Sequence, residues 1–508
     1  MTEALFNPAE VARDPTPLSL VVIGGSGDLA QRKILPALFS LYCQGLLPKR
    51  FQVFGYARTP MDDDAFREKT RENLTCRYVP GENCAQRMDE FLARCHYQTG
   101  QYQSADSFLD LYQRMRELEK DPGANRLYYL AIPPSIFLDV VRSLGDAGLV
   151  VCGAGQGWSR VVMEKPFGRD RSSSDEMARE LVHVFSERQI YRIDHYLGKE
   201  IVQNLMVLRF ANAIFEPLWN REHIESVSIC WKEKIGIGAR GGYFDQYGIV
   251  RDVMQNHLLQ ILSLIAMERP AGLDAQTVRD EKVRVLKAIP PPTLQDLVLG
   301  QYAAREKAGA RLAGYPEEPG VPRHSRTPTF AAAVLRVRNP RWEGVPFFLF
   351  AGKALDGNLN DIRLRFRPVP TNLFADRQAG LPVNELVIRV QPDEAIFYRI
   401  VNKAPGLQLR LEETDLDLHY QTAFKVVIPE AYECLLLDAL RGDKSLFIRS
   451  DELAAAWDIF TPVLREAEER RVAPEPYVFG SAGPAGARAL AARHGIPCDE
   501  TTPLQNPG

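Results

Sequence analysis

The sequence predicts an α/β domain followed by a larger α+β domain with an extensive antiparallel or mixed sheet. Three observations carry this reading. The chain has 508 residues, 45% of them hydrophobic, which is long for one core and suits two. In its first part, apolar runs of strand length alternate with segments of helical spacing, the pattern of a mainly parallel sheet covered on both faces. Beyond about residue 190 the strand-like runs are separated by turns or polar segments, without regular strand–helix alternation.

The elements follow in order. Residues 1–16 carry Glu3, Glu10 and Asp14 and lack a basic region followed by an apolar core, so a flexible lead is expected there. Leu18–Ile23 is a compact apolar run that suits a buried strand. Gly24, Gly25 and Gly27 interrupt it, and from Leu29 onward apolar residues return at helical spacing through Ile34, Leu38 and Leu41. FQVFGYAR at 51–58 reads as the second parallel strand, and 62–120 as helices with irregular connections. NRLYYLAIPP at 125–134 is a strand stopped by two prolines, with a helix over IFLDVVRSLGDAGL; SRVVMEKPFG at 159–168 repeats the scheme. The first domain is placed at 17–190.

The second domain is placed at 191–495, with a flexible tail at 496–508. SVSICWKEK, FAAAVLRVR, GVPFFLFAG, DIRLRFRPV, NELVIRVQP and EAIFYRI read as strands, and helices are expected around 246–268, 426–439 and 450–468. APEPYVFGSAGPAGARALAARHG starts as a loop and ends in a short helix. One face of the large sheet is expected under helices, the other free to join a second subunit.

Composition excludes several classes. Lys and Arg number 62 against 65 Asp and Glu, a formal charge of −3, so no basic excess points to nucleic acid. No apolar run reaches membrane-spanning length. The eight cysteines form no CxxC pair, so disulfides are not expected to organise the fold, and the reducing cytosol is the expected compartment. Cys84, Cys95 and His96 lack a convincing fourth ligand, and no metal site is assigned.

GGSGDLA at 24–30 lacks the last glycine of GxGxxG, because Ala30 stands there. Its place after a strand and before a helix is nevertheless what a Rossmann-like dinucleotide-binding domain requires. Absent side chains let the backbone approach a pyrophosphate, and the helix start offers free N–H groups. The alternative is a glycine turn required only by chain geometry. After the second strand, GYARTP offers Arg58 where an NAD site often has an acid. Arg58 suits a 2′-phosphate, favouring NADP, with Arg32 and Lys33 adding positive charge.

RIDHYLGKE at 192–200 concentrates Asp194, His195, Tyr196, Lys199 and Glu200. If its second half begins a helix, His195 and Lys199 face the same way. His, Lys and Tyr can clamp a phosphate. Equally, Asp194 caps a helix and Lys199 sits in solvent. A second concentration lies at 241–262, where Asp252–Leu262 reads as helix with His257 near its apolar face. Neutral histidine can accept a proton, and a carboxylate can fix its tautomer. Asp252, five positions away, is poorly placed for that on an α-helix, which leaves Asp194 as the candidate partner.

The blocks GGSGDLAQRK, YYLAIPP, EKPFGRD, RIDHYLGKE, GGYFDQYGIVRDVMQNHLLQ and AGKAL closely resemble the glucose-6-phosphate dehydrogenase family, over about Leu18 to Gly480. RIDHYLGKE with RDVMQNH is far more specific than the glycine loop. The resemblance implies oxidation of glucose 6-phosphate at C1 to the 1,5-lactone, the first oxidative step of the pentose phosphate pathway, with NADP+ and without metal. It implies His257 as general base and Asp194 as its supporting carboxylate. It implies sugar and phosphate contacts from Lys165, His195, Tyr196, Lys199, Glu233, Asp252 and Lys353. Cofactor contacts fall on Gly24, Ser26, Gly27, Asp28, Leu29, Lys33, Arg58, Tyr97, Ala131 and Lys165, with Asp28 acting through helix-start hydrogen bonds. A homo-dimer or homo-tetramer is implied, built through the second domain's sheet. Some members hold a second, structural NADP. Arg363, Arg389 and Arg399 resemble part of its framework, while Asn358 and the terminal GIPCDETTPLQNPG depart from it. The alternatives are an NADP-linked dehydrogenase of a related aldose or sugar phosphate, and a non-catalytic NADP-binding protein.

Overall fold

The computed structural model describes residues 9–78, 83–121, 123–150, 157–307, 310–376 and 380–497. The chain forms two compact units. Met1–Glu200, Gly272–Arg279 and Val427–Leu453 make the first; Ile201–Ala271, Asp280–Val426 and Ala454–Gly508 make the second.

In the first unit, six strands run parallel: β1 (Leu18–Ile23), β2 (Phe51–Ala57), β3 (Cys95–Thr99), β4 (Asn125–Leu130), β5 (Ser159–Met163) and β6 (Ile190–Ile193). Their order is β6-β5-β4-β1-β2-β3, with the two-residue strand Phe447–Ile448 added antiparallel outside β6. β1 and β4 are buried along their whole length, as a parallel sheet covered on both faces requires. The order reverses between β1 and β4, and such a switch opens a crevice beyond the carboxyl ends of the strands.

Several expectations change here. The boundary at 190 moves to Glu200 because β6 completes the parallel sheet, and 427–453 returns to the first unit because its strand pairs with β6. β3 (CHYQT) lies inside the stretch expected to be helical. Its polar residues hid it, and pairing with β2 holds it. The helices Asp63–Arg71, Asn83–Leu92 and Ala105–Glu119 flank it. Within the expected flexible lead, Ala9–Arg13 is a helical turn, while residues 1–8 lie outside the described ones.

Cys76 and Cys84 form a disulfide with Cα atoms 5.9 Å apart. Disulfides were not expected to organise the fold, and this bridge, with a sequence separation of 8, closes only a local loop. It also removes Cys84 from any metal corner with Cys95 and His96. Cys95 is buried with its thiol on the Phe91 carbonyl, and His96 lies between Asp63 and Gln52. Cys152 and Cys498 lie outside the described residues.

The second unit holds a mixed sheet of nine strands among the described residues. In chain order they are β7 (Ile224–Lys232) and β8 (Leu297–Ala303), then, after a small separate hairpin of β9 (Arg305–Lys307) and β10 (Ala310–Leu312), β11 (Phe330–Arg336), β12 (Pro346–Gly352), β13 (Leu359–Phe366), β14 (Glu385–Gln391), β15 (Ala395–Lys403), β16 (Leu411–His419) and a last strand Glu475–Val478. The spatial order is β16-β15-β14-β13-β7-β12-β11-β8, closed by the last strand. β12 with β7, and the last strand with β8, pair in parallel; the rest are antiparallel. Six of the strands match the expected runs. β8, β16 and Glu475–Val478 do not, and β16 (LEETDLDLH) is an edge strand whose side chains are largely exposed. Expected helices are found at Leu259–Ala266, Ala431–Arg441, Ser450–Glu469 and Ala485–Arg493. Of the expected tail, residues 498–508 lie outside the described ones.

Candidate active site

The first unit holds the glycine turn. After β1, Gly24 has φ +88°, a conformation that side chains with a Cβ rarely take. A Cβ at Gly24 would lie 2.3 Å from the Ala131 carbonyl oxygen, and one at Gly25 would lie 2.6 Å from the Gly55 Cα. The turn thus presses β1 against the ends of β4 and β2. The Gly24 and Gly25 amides donate to Tyr56 O, and the Gln31 side-chain amide donates to Gly25 O. A helix begins at Asp28, runs π-wound over Ala30–Ile34 and continues as Leu35–Cys43. The bare backbone before a helix N-terminus fits a dinucleotide pyrophosphate.

The expected cofactor residues divide. Gly24, Ser26, Gly27, Leu29 and Ala131 all lie on or against this turn. Tyr97, on β3, donates its hydroxyl to Thr59 O, and burial raises its pKa against an opposing hydrogen bond with the Ser26 side chain. Arg58 is exposed directly after β2, with its guanidinium 5.2 Å from the Tyr102 ring centre. Two residues differ from expectation. Asp28 makes no helix-start bond: its carboxylate is 93% exposed and lies 3.9 Å from Arg32, one turn on. Lys33 points to Glu430 at 3.3 Å.

The segment after β6 is not the start of a helix, which corrects the expectation for His195 and Lys199. Residues 195–198 form successive turns, and the helix begins at Glu200. The Leu197, Gly198 and Lys199 amides donate to the carbonyls of Asp194, His195 and Tyr196, and the Tyr196 amide donates to Asp194 Oδ1 at 3.0 Å. The turns still gather the expected group. The His195 ring meets Tyr196 edge-on at 5.0 Å, and Lys199 Nζ lies 5.2 Å from the Tyr196 ring centre.

Gly198 allows this coil to approach the helix Ala431–Arg441, since a Cβ there would lie 2.6 Å from Ala431 O. That helix brings Tyr432, which stacks on His195 with ring centres 6.2 Å apart. Tyr432 was missed because nothing near it in sequence marks it. Glu164, beside Lys165, was also missed. It accepts from Tyr129 Oη at 2.6 Å. Burial raises its pKa, opposed by hydrogen bonds from Tyr129 and Tyr432 and by the charge of Lys165. Its only sequence mark was its position in EKPFG.

The second unit holds the rest. Glu233 follows β7, and Lys353 follows β12. The parallel pairing of the two strands places Lys353 Nζ 2.7 Å from Glu233 Oε2. The lysine is nearly sealed and the carboxylate partly open, at 3% and 28% exposure. Lys353 also lies 4.9 Å from the Trp231 ring centre and 5.7 Å from that of Phe244. Beside Phe244, Tyr243 has its pKa raised by burial and by the charge of Asp252.

Asp252 and His257 share a helical run that is π-wound over Val250–Leu258. This corrects the argument that the two are poorly placed together. A π-helix closes i to i+5, so five positions bring the chain back to one side. His257 is 2% exposed, and its amide donates to Asn256 Oδ1.

Of the arginines resembling a second dinucleotide site, Arg363 and Arg399 line a cavity of about 700 Å³ in this unit, together with Lys232. Their charges are met from within. Arg363 pairs with Asp361 and Glu385; Arg399 pairs with Glu385, Glu413 and Asp415; Lys232 pairs with Asp356. Arg389 stacks on Phe397 instead. Asn358 accepts from the Lys234 amide and adds no cation.

Comparison with known proteins adds the family. The model of the glucose-6-phosphate dehydrogenase NAD binding domain matches residues 21–204, and that of the C-terminal domain matches 206–499. The chain belongs to the glucose-6-phosphate dehydrogenase family. Within this family it is 53% identical to the chloroplastic glucose-6-phosphate 1-dehydrogenase of Spinacia oleracea, over 96% of this chain and 84% of that one. It is 47% identical to the glucose-6-phosphate 1-dehydrogenase of Dictyostelium discoideum, over 94% of both. A solved glucose-6-phosphate dehydrogenase in complex with its substrate glucose-6-phosphate superposes with a TM-score of 0.89 at 42% identity, covering 96% of this chain and all of that one.

Proposed function

We propose that this chain oxidises the C1 hydroxyl of cyclic glucose 6-phosphate to 6-phosphoglucono-1,5-lactone with NADP+, the first oxidative step of the pentose phosphate pathway. The observation that carries this reading is the solved family member with glucose-6-phosphate bound, similar over nearly the whole of this chain. The bare glycine turn and Arg58, with no acid directly after β2, support NADP+ as the dinucleotide.

When bound, the dinucleotide supplies the hydride acceptor. The chain's residues do the rest. Neutral His257 takes the C1 hydroxyl proton as C1 becomes the lactone carbonyl carbon, and Asp194 supports the resulting imidazolium. His195, Tyr196 and Lys199 hold the phosphate through a cation and hydrogen-bond donors. Lys165 serves both sugar and dinucleotide. Glu233, Asp252 and Lys353 fix the sugar hydroxyls, so that the reacting carbon is held in place rather than found by diffusion.

The test compares initial rates of NADPH formation with glucose 6-phosphate and with glucose at saturating NADP+. Turnover confined to the phosphorylated sugar is expected. Similar rates with both would replace the phosphate clamp by an aldose dehydrogenase reading. Binding of NADP+ without turnover of either would leave a non-catalytic protein.

Self-association is part of the same reading. Edge strand β16 leaves Leu416 60% and Leu418 36% exposed, apolar surface suited to a homo-dimer or homo-tetramer. Sedimentation showing only monomer at micromolar concentration would remove it. No helix among the described residues is long and apolar enough to cross a membrane. A cytoplasmic location is the proposed one, checked by cell fractionation.

A further inference from the structure

We propose that Lys69 is a specificity-determining residue of the dinucleotide site, a second cation for the 2′-phosphate beside Arg58. The inference rests on the reading of the glycine turn as a dinucleotide site.

Lys69 lies on the helix Asp63–Arg71, which follows β2. Its ammonium donates to Ser26 O at 2.8 Å, the middle of the glycine turn. The other cations of this helix are paired: Arg67 with Asp63 and Asp64, Arg71 with Glu68 and Asp89. Lys69 has no carboxylate within 4.0 Å among the described residues. An ammonium carries three donors, and the Ser26 carbonyl takes one. Two are left beside a turn built to receive an anion.

The position is held from below. A Cβ at Gly55 would lie 2.6 Å from the Phe66 ring, so the glycine in β2 lets this helix seat directly on the strand. Asp63 ties the helix start to β3, accepting from the Tyr97 amide and from Arg114, each at 2.8 Å. Lys69 is therefore half-buried on a fixed backbone.

The local acids do not compete for a ribose. In this fold an acid near the end of the second strand selects a 2′-hydroxyl, and a cation there accommodates a 2′-phosphate. Residues 57–61 here read ARTPM. The acids that follow are occupied: Asp62 caps the helix by accepting from the Ala65 amide, Asp63 is bound as above, and Asp64 pairs with Arg67. Tyr97 touches both sides of the place, with its hydroxyl on Thr59 O and a hydrogen bond to the Ser26 side chain. Tyr97 thus links Thr59, the residue after Arg58, to Ser26, whose carbonyl accepts from Lys69.

The test measures dissociation constants of NADP+ and of NAD+ without sugar, by tryptophan fluorescence, for the full chain, Lys69→Met and Lys69→Arg. Lys69→Met is expected to weaken NADP+ roughly tenfold and to leave NAD+ within about twofold. Lys69→Arg is expected to keep most of the NADP+ affinity. A melting temperature equal to that of the parent shows that the variants fold. Equal weakening of both dinucleotides would overturn the proposal in favour of a turn-bracing role. No change in either would overturn it outright. A parent chain that binds neither dinucleotide would sink the dinucleotide reading itself, an outcome separate from the other two.

Discussion

His257 is sealed from solvent on a π-wound helix, with its amide held by Asn256. A histidine proposed as proton acceptor in such a place is replaced most gently by an amide of similar size. His257→Asn is expected to leave the dissociation constants for sugar phosphate and NADP+ within a few-fold and to lower kcat by about 10²–10⁴. Stopped-flow binding alongside steady-state rates checks this, and parent-level turnover would remove the base assignment. Gly24→Ala is expected to abolish measurable dinucleotide binding, because the methyl group meets Ala131 O and the positive φ costs about 1–2 kcal/mol. Titration with NADP+ measures it. Both residues stand out in the sequence. A glycine forced by close approach shows itself as a glycine after a strand, and RDVMQNH is a distinctive string. Tyr432 was not legible, since it reaches His195 only through a helix far along the chain.

At the scale of elements, the turns at 195–198 rest on the helix Ala431–Arg441 through Gly198. Gly198→Ala puts a carbon 2.6 Å from Ala431 O. A destabilisation of about 1–3 kcal/mol is expected, with KM for the sugar phosphate raised more than KM for NADP+. Equal effects on both would argue against a local displacement. The same helix carries Asp438, whose carboxyl is pushed up to about 7, first by burial and then by Asp443, against Arg441 at 3.7 Å. An unfolded aspartate titrates near ~3.9, so the native chain holds this proton to higher pH than the unfolded chain does. The unfolded state binds fewer protons between those values, and this site's contribution to stability falls as pH rises from about 4 to 7. Asp438→Asn should therefore melt close to the parent near pH ~4 and above it near pH ~8. A pH-independent difference would contradict the sign. Elements with apolar runs, such as β1, β4 and β12, could be read from sequence because burial wrote their composition. β3 and β16 could not, since their partners rather than their residues make them strands. The π-winding of Val250–Leu258 was equally hidden, because Val253, Leu258, Ile261 and Leu262 satisfy an α-helical spacing too.

At the scale of the whole chain, neither unit is a continuous stretch of sequence. The segment Val427–Leu453 supplies the first unit with a strand beside β6 and with partners for earlier residues: Arg77 reaches Glu433 and the Ile428 carbonyl, and Arg160 reaches the carbonyls of Ala439 and Leu440. A fragment of residues 1–200 is therefore expected to lack a cooperative thermal transition, although every parallel strand of its sheet is present. Circular dichroism of the fragment, alone and with a peptide spanning 427–453, checks this; a sharp transition without the peptide would contradict it. The return of that segment also sets a clock on synthesis. At about 5–20 residues per second, the ribosome delivers Leu453 roughly 20–90 s after starting. From the completion of β6 at Ile193, about 13–52 s of that interval at the same rate, the nascent chain displays β6 as an open edge, and an open edge recruits other strands. The growing polypeptide is therefore expected to need holding factors for about half of its translation, and codon changes that slow the last third of the message should lower soluble yield without altering one residue.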